Sequence, residues 1–370
     1  MGKNSRGGIT MDLSTSICGL ELENPLMPAS GPLVGDFDKI MSIASFGVGA
    51  LVTKTISSKA AVVPRPCIYG DNNKIMNAEL WSEFPPEEWL EEILPKLKAE
   101  CSVPIIVSVG YSKDDMNSLI PKLNEYADAF EVSTHYVGKD LDVIARTVKS
   151  IRNNTDKPFF MKISPHIPDV VGFAKMAKEN GASGIVAINS LGPSMIIDIE
   201  KRKVLLGNEE GEVWTSGPSI KPIALAIVNK IKEAVPDFTI IGVGGVSSAK
   251  DVIEFLLAGA DAVQMLSSAM IKGKDLYEKI IRDLPKTLQY YGFNSIQEVI
   301  DAKLIKEKIR FNPKYPKIEL KRCIGCNLCA RICPYFAMKV DKKAKVDIRA
   351  CFGCGLCELR CPVSAISGIL

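Results

Sequence analysis

Three consecutive stretches decide the architecture: PIIVSVG (residues 104–110), NSLIPKLNEYA (117–127) and AFEVST (129–134). The first and third are short apolar runs rich in β-branched residues, and the second repeats its apolar side chains at spacings of three and four. A strand that is apolar throughout needs both of its faces covered, which is the condition of a parallel sheet wrapped by helices. The triplet therefore predicts strand, crossover helix, strand.

The unit recurs on both sides. PLMPAS (25–30) and ALVTKT (50–55) precede it, and FFMKIS (159–164), GIVAINS (184–190), FTIIGVGG (238–245) and AVQMLSS (262–268) follow. Between them LDVIARTVKSIRN, VVGFAKMAKENG, IALAIVNKIKEAV and AKDVIEFLLAGA carry helical spacing with Gly or Asn near their ends, and DLYEKIIRDLPKTLQYYG supplies a last helix. Eight such strands predict an α/β chain closed into an eight-stranded (β/α)8 TIM barrel over residues 1–292, with residues 1–10 a flexible start.

Barrels of this kind build their sites at the carboxyl ends of the strands. Here those ends are Ser30, Lys54 with Thr55, Ser108, Ser133 with Thr134, Lys162 with Ser164, Asn189 with Ser190, Gly244 with Gly245, and Ser267 with Ser268. Serine and glycine are ordinary turn formers, but two lysines closing otherwise apolar strands point to a ligand-lined mouth.

Residues 293–318 form a polar linker with Pro313 and Pro316, and a small domain occupies 319–370. Eight of the eleven cysteines fall in it, as CIGCNLCARICP (323–334) and CFGCGLCELRCP (351–362). Three closely spaced thiolates wrap one [4Fe-4S] cube while the fourth cysteine of each run reaches the other. This assigns Cys323, Cys326, Cys329 and Cys361 to one cluster, and Cys351, Cys354, Cys357 and Cys333 to the second. Zinc is the competing reading of any CxxC pair. The segment resembles bacterial-type two-cluster ferredoxins. Cys18, Cys67 and Cys101 are scattered and read as packing thiols.

Composition sets outer bounds. With 46% hydrophobic and 24% charged residues and a net charge of +3, the chain reads as a soluble globular protein without a nucleic-acid surface. No apolar run is long enough to cross a bilayer, and MGKNSRGGIT lacks the apolar core of a signal peptide, so a cytoplasmic location is expected.

Two clusters joined to a barrel imply single electrons entering or leaving its site. A flavin exchanges electrons singly with iron–sulfur centres and as a hydride with an organic substrate. SGPSIKP (216–222), IIGVGGVSS (240–248) and QMLSSAM (264–270) offer backbone amides near Gly217, Gly244, Gly245 and Ser267 for its phosphate.

These motifs, from NPLMPASGP through VTKT, KISPHIPD, AINS, SGPSIKPIAL and GVGGV to the cysteine runs, resemble the class I dihydroorotate dehydrogenases. They resemble still more the flavin and C-terminal iron–sulfur portion of dihydropyrimidine dehydrogenase. The resemblance implies FMN, contacted by Ala29, Ser30, Lys54, Thr55, Lys162, Asn189, Ser190, Gly217, Gly244, Gly245 and Ser267. It also implies that Asn77 and Glu79, in MNAELWSE (76–83), face the substrate, together with Asn189 and Ser190. His166 would line the flavin edge or cap the next helix.

The departure falls on the fourth strand. Both families carry a pattern like Asn-x-Ser-Cys-Pro-Asn/His there, whereas this chain has Glu131-Val-Ser133-Thr134-His135-Tyr136. Thr134 occupies the position of the proton-transferring cysteine, with His135 and Tyr136 as neighbours able to help. Glu131 replaces an amide that holds the pyrimidine, and a carboxylate only accepts hydrogen bonds, so a ring with more N–H donors, or a cationic one, is expected.

The implied activity is a CH–CH oxidoreductase acting on a pyrimidine-like heterocycle, in either direction. Its electron partner would be a ferredoxin or a separate NAD(P)H-oxidising flavoprotein subunit, and its assembly a homo-oligomer, dimer or higher. Two other functions are open: an electron-transfer subunit with a vestigial pocket, and dihydroorotate dehydrogenation in pyrimidine biosynthesis.

Overall fold

The structure is a computed structural model that describes residues 11–133, 140–302, 304–306 and 312–370. Its described residues divide into two compact units, with the boundary after Leu304.

The first unit is the barrel. Its strands are β1 (Leu26–Pro28), β2 (Leu51–Val52), β3 (Ile105–Val109), β4 (Ala129–Ser133), β5 (Phe159–Ile163), β6 (Gly184–Ala187), β7 (Thr239–Val243) and β8 (Ala262–Met265). From β2 to β8 each pairs in parallel with its neighbour in sequence, and β8 pairs with β1; among the described residues β1 and β2 form no ladder. Between β1 and β2 the Gly49 N–H donates to the Leu26 carbonyl at 2.9 Å. All eight predicted strands are present.

Alternation along each strand builds two cores. Phe130, Phe159, Ile185 and Ile240 face the helices, whereas Ala129, Phe160, Val186, Ile241 and Ala262 fill the barrel. A hairpin of Thr15–Ile17 and Leu20–Leu22 adds Ile17 and Leu22 to this inner cluster, with Cys18 bonded to Ser183 and Thr239 at the amino ends of β6 and β7. The bottom of the barrel is thereby plugged, leaving the carboxyl end as the open face.

The helices are α1 (Phe37–Ala44), α2 (Leu94–Glu100), α3 (Lys113–Leu123), α4 (Leu141–Asn154), α5 (Val170–Glu179), α6 (Lys221–Ala234), α7 (Ala249–Leu257) and α8 (Leu276–Tyr290). Asp36, Ser112, Asp140, Asp169 and Ser248 cap the first turns of α1, α3, α4, α5 and α7 with side-chain oxygens. By contrast, α6 and the short helix Ser267–Lys272 start without a side-chain cap.

One layer has no counterpart in the expected pattern. Ile68–Gly70, Ile75–Asn77, Val213–Ser216 and Leu191–Ser194 form an antiparallel sheet from the excursions after β2 and β6. Runs of three or four residues are too short to declare themselves by periodicity.

The segment expected as a linker is partly ordered at both ends. Ile296–Asp301 is a helix capped by Ser295 with Ile296 and Val299 buried in the barrel's outer core. Lys317–Ile318 pairs with Ile366–Ser367 inside the second unit. That unit holds one more hairpin, Met338–Val340 with Ala344–Val346, and two short helices, Leu328–Arg331 and Leu356–Leu359. No helix among the described residues is long and apolar enough to cross a membrane.

Candidate active site

An open cleft of about 1210 Å³ lies at the carboxyl ends of the strands. Ala29 and Ser30 reach it from the end of β1, Lys54 and Thr55 from beyond β2, Lys162 from β5, and Asn189 and Ser190 from beyond β6. Gly217, Gly244, Gly245 and Ser267 line one side, and Asn77, Glu79 and Glu131 complete the wall. Thr134, His135 and Tyr136 lie outside the described residues; Ser133, just before them, lines the cleft.

The floor is a buried ion pair. Glu131 is one layer above Ala129 on the inner face of β4, as Lys162 is above Phe160 on β5. Lys162 Nζ donates to Glu131 Oε1 at 2.9 Å, while Gln264 Nε2 on β8 donates to Glu131 Oε2 at 2.6 Å. Glu131 is 1% exposed, so each group depends on the other: removing one partner of such a pair costs about 3–5 kcal/mol. Glu131 thus lines the cleft, but both of its oxygens are engaged from within the barrel, which weakens its expected part in reading a substrate.

The second lysine is also matched. Lys54, 2% exposed, donates to Glu79 Oε2 at 2.9 Å and to Glu83 Oε2 at 2.7 Å. Burial would raise the Glu83 carboxyl, but the hydrogen bond and charge of Lys54 hold it below the usual carboxylate range. On the far side of Glu79, the Cys67 thiol donates to Oε1 at 3.7 Å. Burial and then the Glu79 charge push Cys67 upward, so it stays protonated. Asn77 is fixed by the new sheet: its Nδ2 donates to the Trp214 carbonyl at 3.2 Å, and its Oδ1 accepts from the Glu79 N–H at 3.2 Å.

The opposite wall has the makings of a phosphate cradle. Gly217, Gly244 and Gly245 have φ of 93°, 121° and 90°, a region closed to most side chains. A Cβ on Gly245 would stand 2.9 Å from the Gly217 carbonyl, so the two loops touch only because glycine is there. Lys221, at the start of α6, pairs with Asp251 and, at 2.5 Å, with Glu254 of α7, tying these loops together. Burial opposes ionisation of both Asp251 and Lys221, but their mutual hydrogen bond and charge hold Asp251 below the carboxylate range and Lys221 above the usual lysine value. Ser216 and Ser267 hydroxyls meet at 2.8 Å, and the buried Ser268 Oγ has no hydrogen-bond partner among the described residues. The uncapped start of Ser267–Lys272 and the unspent Ser268 hydroxyl leave donors suited to an anion. This donor set fits the phosphate of a flavin mononucleotide.

His166 does not cap the next helix. Its Nε2 accepts from the Gly192 N–H at 3.0 Å, tying the β5 loop to the added sheet, while Asp169 caps α5. Gln264, Trp214 and Tyr111 line the cleft without having been singled out. Gln264 did carry a signal: it is a lone amide in the apolar strand AVQM, in phase with the inward-facing Ala262.

In the second unit the eight cysteines surround two cavities. Cys323, Cys326, Cys329 and Cys361 line one of about 340 Å³; Cys333, Cys351, Cys354 and Cys357 line another of about 310 Å³. Among the described residues no set of thiols converges as a single-ion site requires, so these cavities suit a cube better than zinc. The two runs share a backbone: Gly325 and Gly353 have φ of 68° and 79°, Asn327 and Gly355 of 63° and 84°. Successive left-handed turns aim amides at an anionic group. Ala344 N–H donates to Cys323 Sγ at 3.4 Å and Ala365 N–H to Cys361 Sγ at 3.2 Å.

Comparison with known proteins agrees with both units. Residues 12–288 match the family described as Dihydroorotate dehydrogenase, and residues 322–365 match the 4Fe-4S dicluster domain. The chain is 35% identical over 300 residues to the dihydroorotate dehydrogenase B (NAD(+)) catalytic subunit of Methanothermobacter thermautotrophicus, covering 78% of this chain and 97% of that one. It is 32% identical over 307 residues to the same-named subunit of Pyrococcus furiosus, covering 78% and 98%. With dihydroorotate dehydrogenase A (fumarate) of Lactobacillus helveticus it shares 34% over 297 residues, 76% and 95% of the two chains. The chain is therefore a member of the dihydroorotate dehydrogenase family, an oxidoreductase of CH–CH groups whose barrel takes FMN and whose second unit takes two [4Fe-4S] clusters.

Proposed function

We propose that the protein reduces, or in reverse oxidises, an activated C=C/C–C bond of an uncharged pyrimidine-like heterocycle, with electrons passing through the two clusters. The observation that carries the substrate's charge is the double engagement of Lys54 by Glu79 and Glu83. A ring bearing a carboxylate would have to break those pairs and would meet their negative charge, since Lys162 is matched by Glu131 as well. A neutral ring with N–H donors meets acceptors instead.

When bound, FMN exchanges a hydride with the substrate and single electrons with the clusters. The chain's own residues orient and exclude. Asn77, held by Trp214 and Glu79, presents an amide to the ring, and Glu79 presents a carboxylate whose position Lys54 and Cys67 set. The proton is assigned to Thr134, His135 or Tyr136, because they follow Ser133 at the cleft wall; His135 is the group whose ordinary titration lies nearest neutrality. Electrons reach the clusters from a separate protein in the cytoplasm.

The test is an anaerobic stopped-flow experiment on the FMN- and cluster-loaded full chain, photoreduced and mixed with uracil, thymine or orotate. Reoxidation by the neutral rings and a loss of about 10²–10⁴-fold in Thr134→Ala or His135→Ala are expected. Equal rates in both variants would remove that segment from proton transfer, and a failure of every heterocycle would favour an electron-transfer subunit. The names of the relatives support a second reading, oxidation of dihydroorotate. It predicts that dihydroorotate alone reduces the flavin.

A further inference from the structure

The two units carry charge of opposite sign. From Ile305 to Leu370 the sequence has fourteen Lys and Arg against five Asp and Glu, a net of +9, so the preceding residues carry −6 of the chain's overall +3. Two [4Fe-4S]²⁺ cubes on eight thiolates add about four negative charges, and the unit remains basic. Much of the excess stands on one hairpin, where Lys339, Lys342, Lys343 and Lys345 are exposed with only Asp341 among them.

Lys339 and Lys345 are direct cross-strand partners, both exposed. Like charges in that register destabilise a strand pair. None of the four lysines forms an ion pair among the described residues; in this unit the pairing seen is Arg322 with Glu319 at 3.7 Å. No ion pair among the described residues offsets that cost.

The hairpin is also bonded to one cluster site. Ala344 N–H donates to Cys323 Sγ at 3.4 Å, and Lys343 Nζ donates to the Cys323 carbonyl at 2.5 Å. Val340 and Ala344 line the cavity of Cys323, Cys326, Cys329 and Cys361. The turn lies so close to the first cysteine loop that a Cβ on Gly325 would stand 2.5 Å from the Lys342 carbonyl.

We infer that the Met338–Val346 hairpin is the docking surface for an acidic protein electron carrier, which exchanges single electrons with the cluster held by Cys323, Cys326, Cys329 and Cys361. Complementary charge raises encounter rates without demanding a tight complex, which suits a carrier that must leave after each transfer. A nucleic-acid face is disfavoured because no aromatic side chain is interleaved with these lysines. In each encounter one electron leaves the reduced carrier and enters the oxidised cube. Two encounters supply the two electrons of one hydride equivalent, and the proton comes from solvent.

The inference rests on the two-cluster reading and not on the substrate, and its test reads cluster reduction alone. The loaded full chain is mixed anaerobically with a reduced acidic [2Fe-2S] ferredoxin as probe, whose spectrum differs from that of a cube, and bleaching of the chain's cluster absorbance is timed at rising salt. Photoreduced deazaflavin, a small uncharged donor, is the control. The ferredoxin rate is expected to fall about tenfold or more at high salt, and again in Lys339→Glu/Lys345→Glu, with the deazaflavin rate unchanged. The neutral pair Lys339→Ser/Lys345→Ser should fall between. A ferredoxin rate indifferent to salt and to both variants would overturn the proposal, as would equal slowing with both donors. So would retention of the chain by DNA or anionic vesicles without any effect of the variants on the ferredoxin rate.

Discussion

Lysine is used in opposite ways in the two units. In the barrel, Lys54 and Lys162 are buried at the cleft and each meets carboxylates at 2.7–2.9 Å. In the cysteine-rich unit, Lys339, Lys342, Lys343 and Lys345 are exposed and, among the described residues, form no ion pair. A buried charge has to be matched because desolvation is costly, whereas an exposed one is screened and can be left for a partner. Matching in the barrel fixes geometry at the cleft; unmatched charge on the hairpin leaves a long-range field.

The strongest way to break the comparison is to take away the centre that the second unit is built around. If the two cavities mark crossed ligand sets, Cys361→Ser should disable the cluster of Cys323, Cys326 and Cys329, although Cys361 is nearer in sequence to the other run. Iron content is expected to fall from about eight to about four per chain. Cys357→Ser should then remove the opposite cluster, and the two variants should differ in their electron paramagnetic resonance spectra.

Next in size is the barrel floor. Glu131→Ala leaves Lys162 buried without its carboxylate and should cost about 3–5 kcal/mol, read as a lower denaturation midpoint. Glu131→Gln keeps the shape, removes the charge and replaces one of the two acceptor oxygens with a donor. With Lys162 no longer neutralised, the anionic reduced flavin gains about 1–2 kcal/mol, and the midpoint potential should rise by roughly 20–40 mV for the two-electron couple. A potential that does not move would separate Lys162 from the flavin's charge.

The Lys221–Asp251 pair tests matched charge at the cradle. Asp251 also accepts from the Ser247 N–H at 2.8 Å and from the Ser248 hydroxyl at 2.9 Å, so Asp251→Asn should cost about 1.5–3 kcal/mol. The sign with pH follows from its lowered carboxyl. Its stabilisation is complete above the unfolded carboxylate value, about 3.9, and is lost as pH falls through the lower folded value. The gap between wild type and Asp251→Asn should therefore be full at pH 7 and should close in acid.

How much of this was legible in the sequence depends on whether the interaction is local. The cluster ligands sit three and four residues apart, and each strand announces its polar end, so the cavities and the cleft wall were readable residue by residue. What pairs with what was not. Glu131, Lys162 and Gln264 belong to three strands and meet only once the barrel closes, so the sequence shows a carboxylate replacing an amide but not that both its oxygens are taken. Glu79 was readable as a candidate for the cleft, which it lines, yet nothing in MNAELWSE says that it shares Lys54 with Glu83. The sheet that holds Asn77 against Trp214 joins excursions 137 residues apart.

The smallest effect separates stability from function on the hairpin. Lys345→Glu converts the Lys339–Lys345 register pair from repulsion to attraction, in a hairpin whose Met338, Val340, Ala344 and Val346 pack inward while both lysines are exposed. The single substitution should stabilise the cluster unit by a few tenths of a kcal/mol, up to about 1 kcal/mol, because cross-strand charge pairs are worth that much. Slower loss of iron to a chelator on warming would report it. The same substitution should slow electron exchange with an acidic carrier, and the opposite signs would separate the hairpin's stability from the docking role inferred for it. If Lys345→Glu destabilises the unit, repulsion between the two lysines is not the term that matters there, and the contrast with the matched lysines of the barrel loses its energetic half.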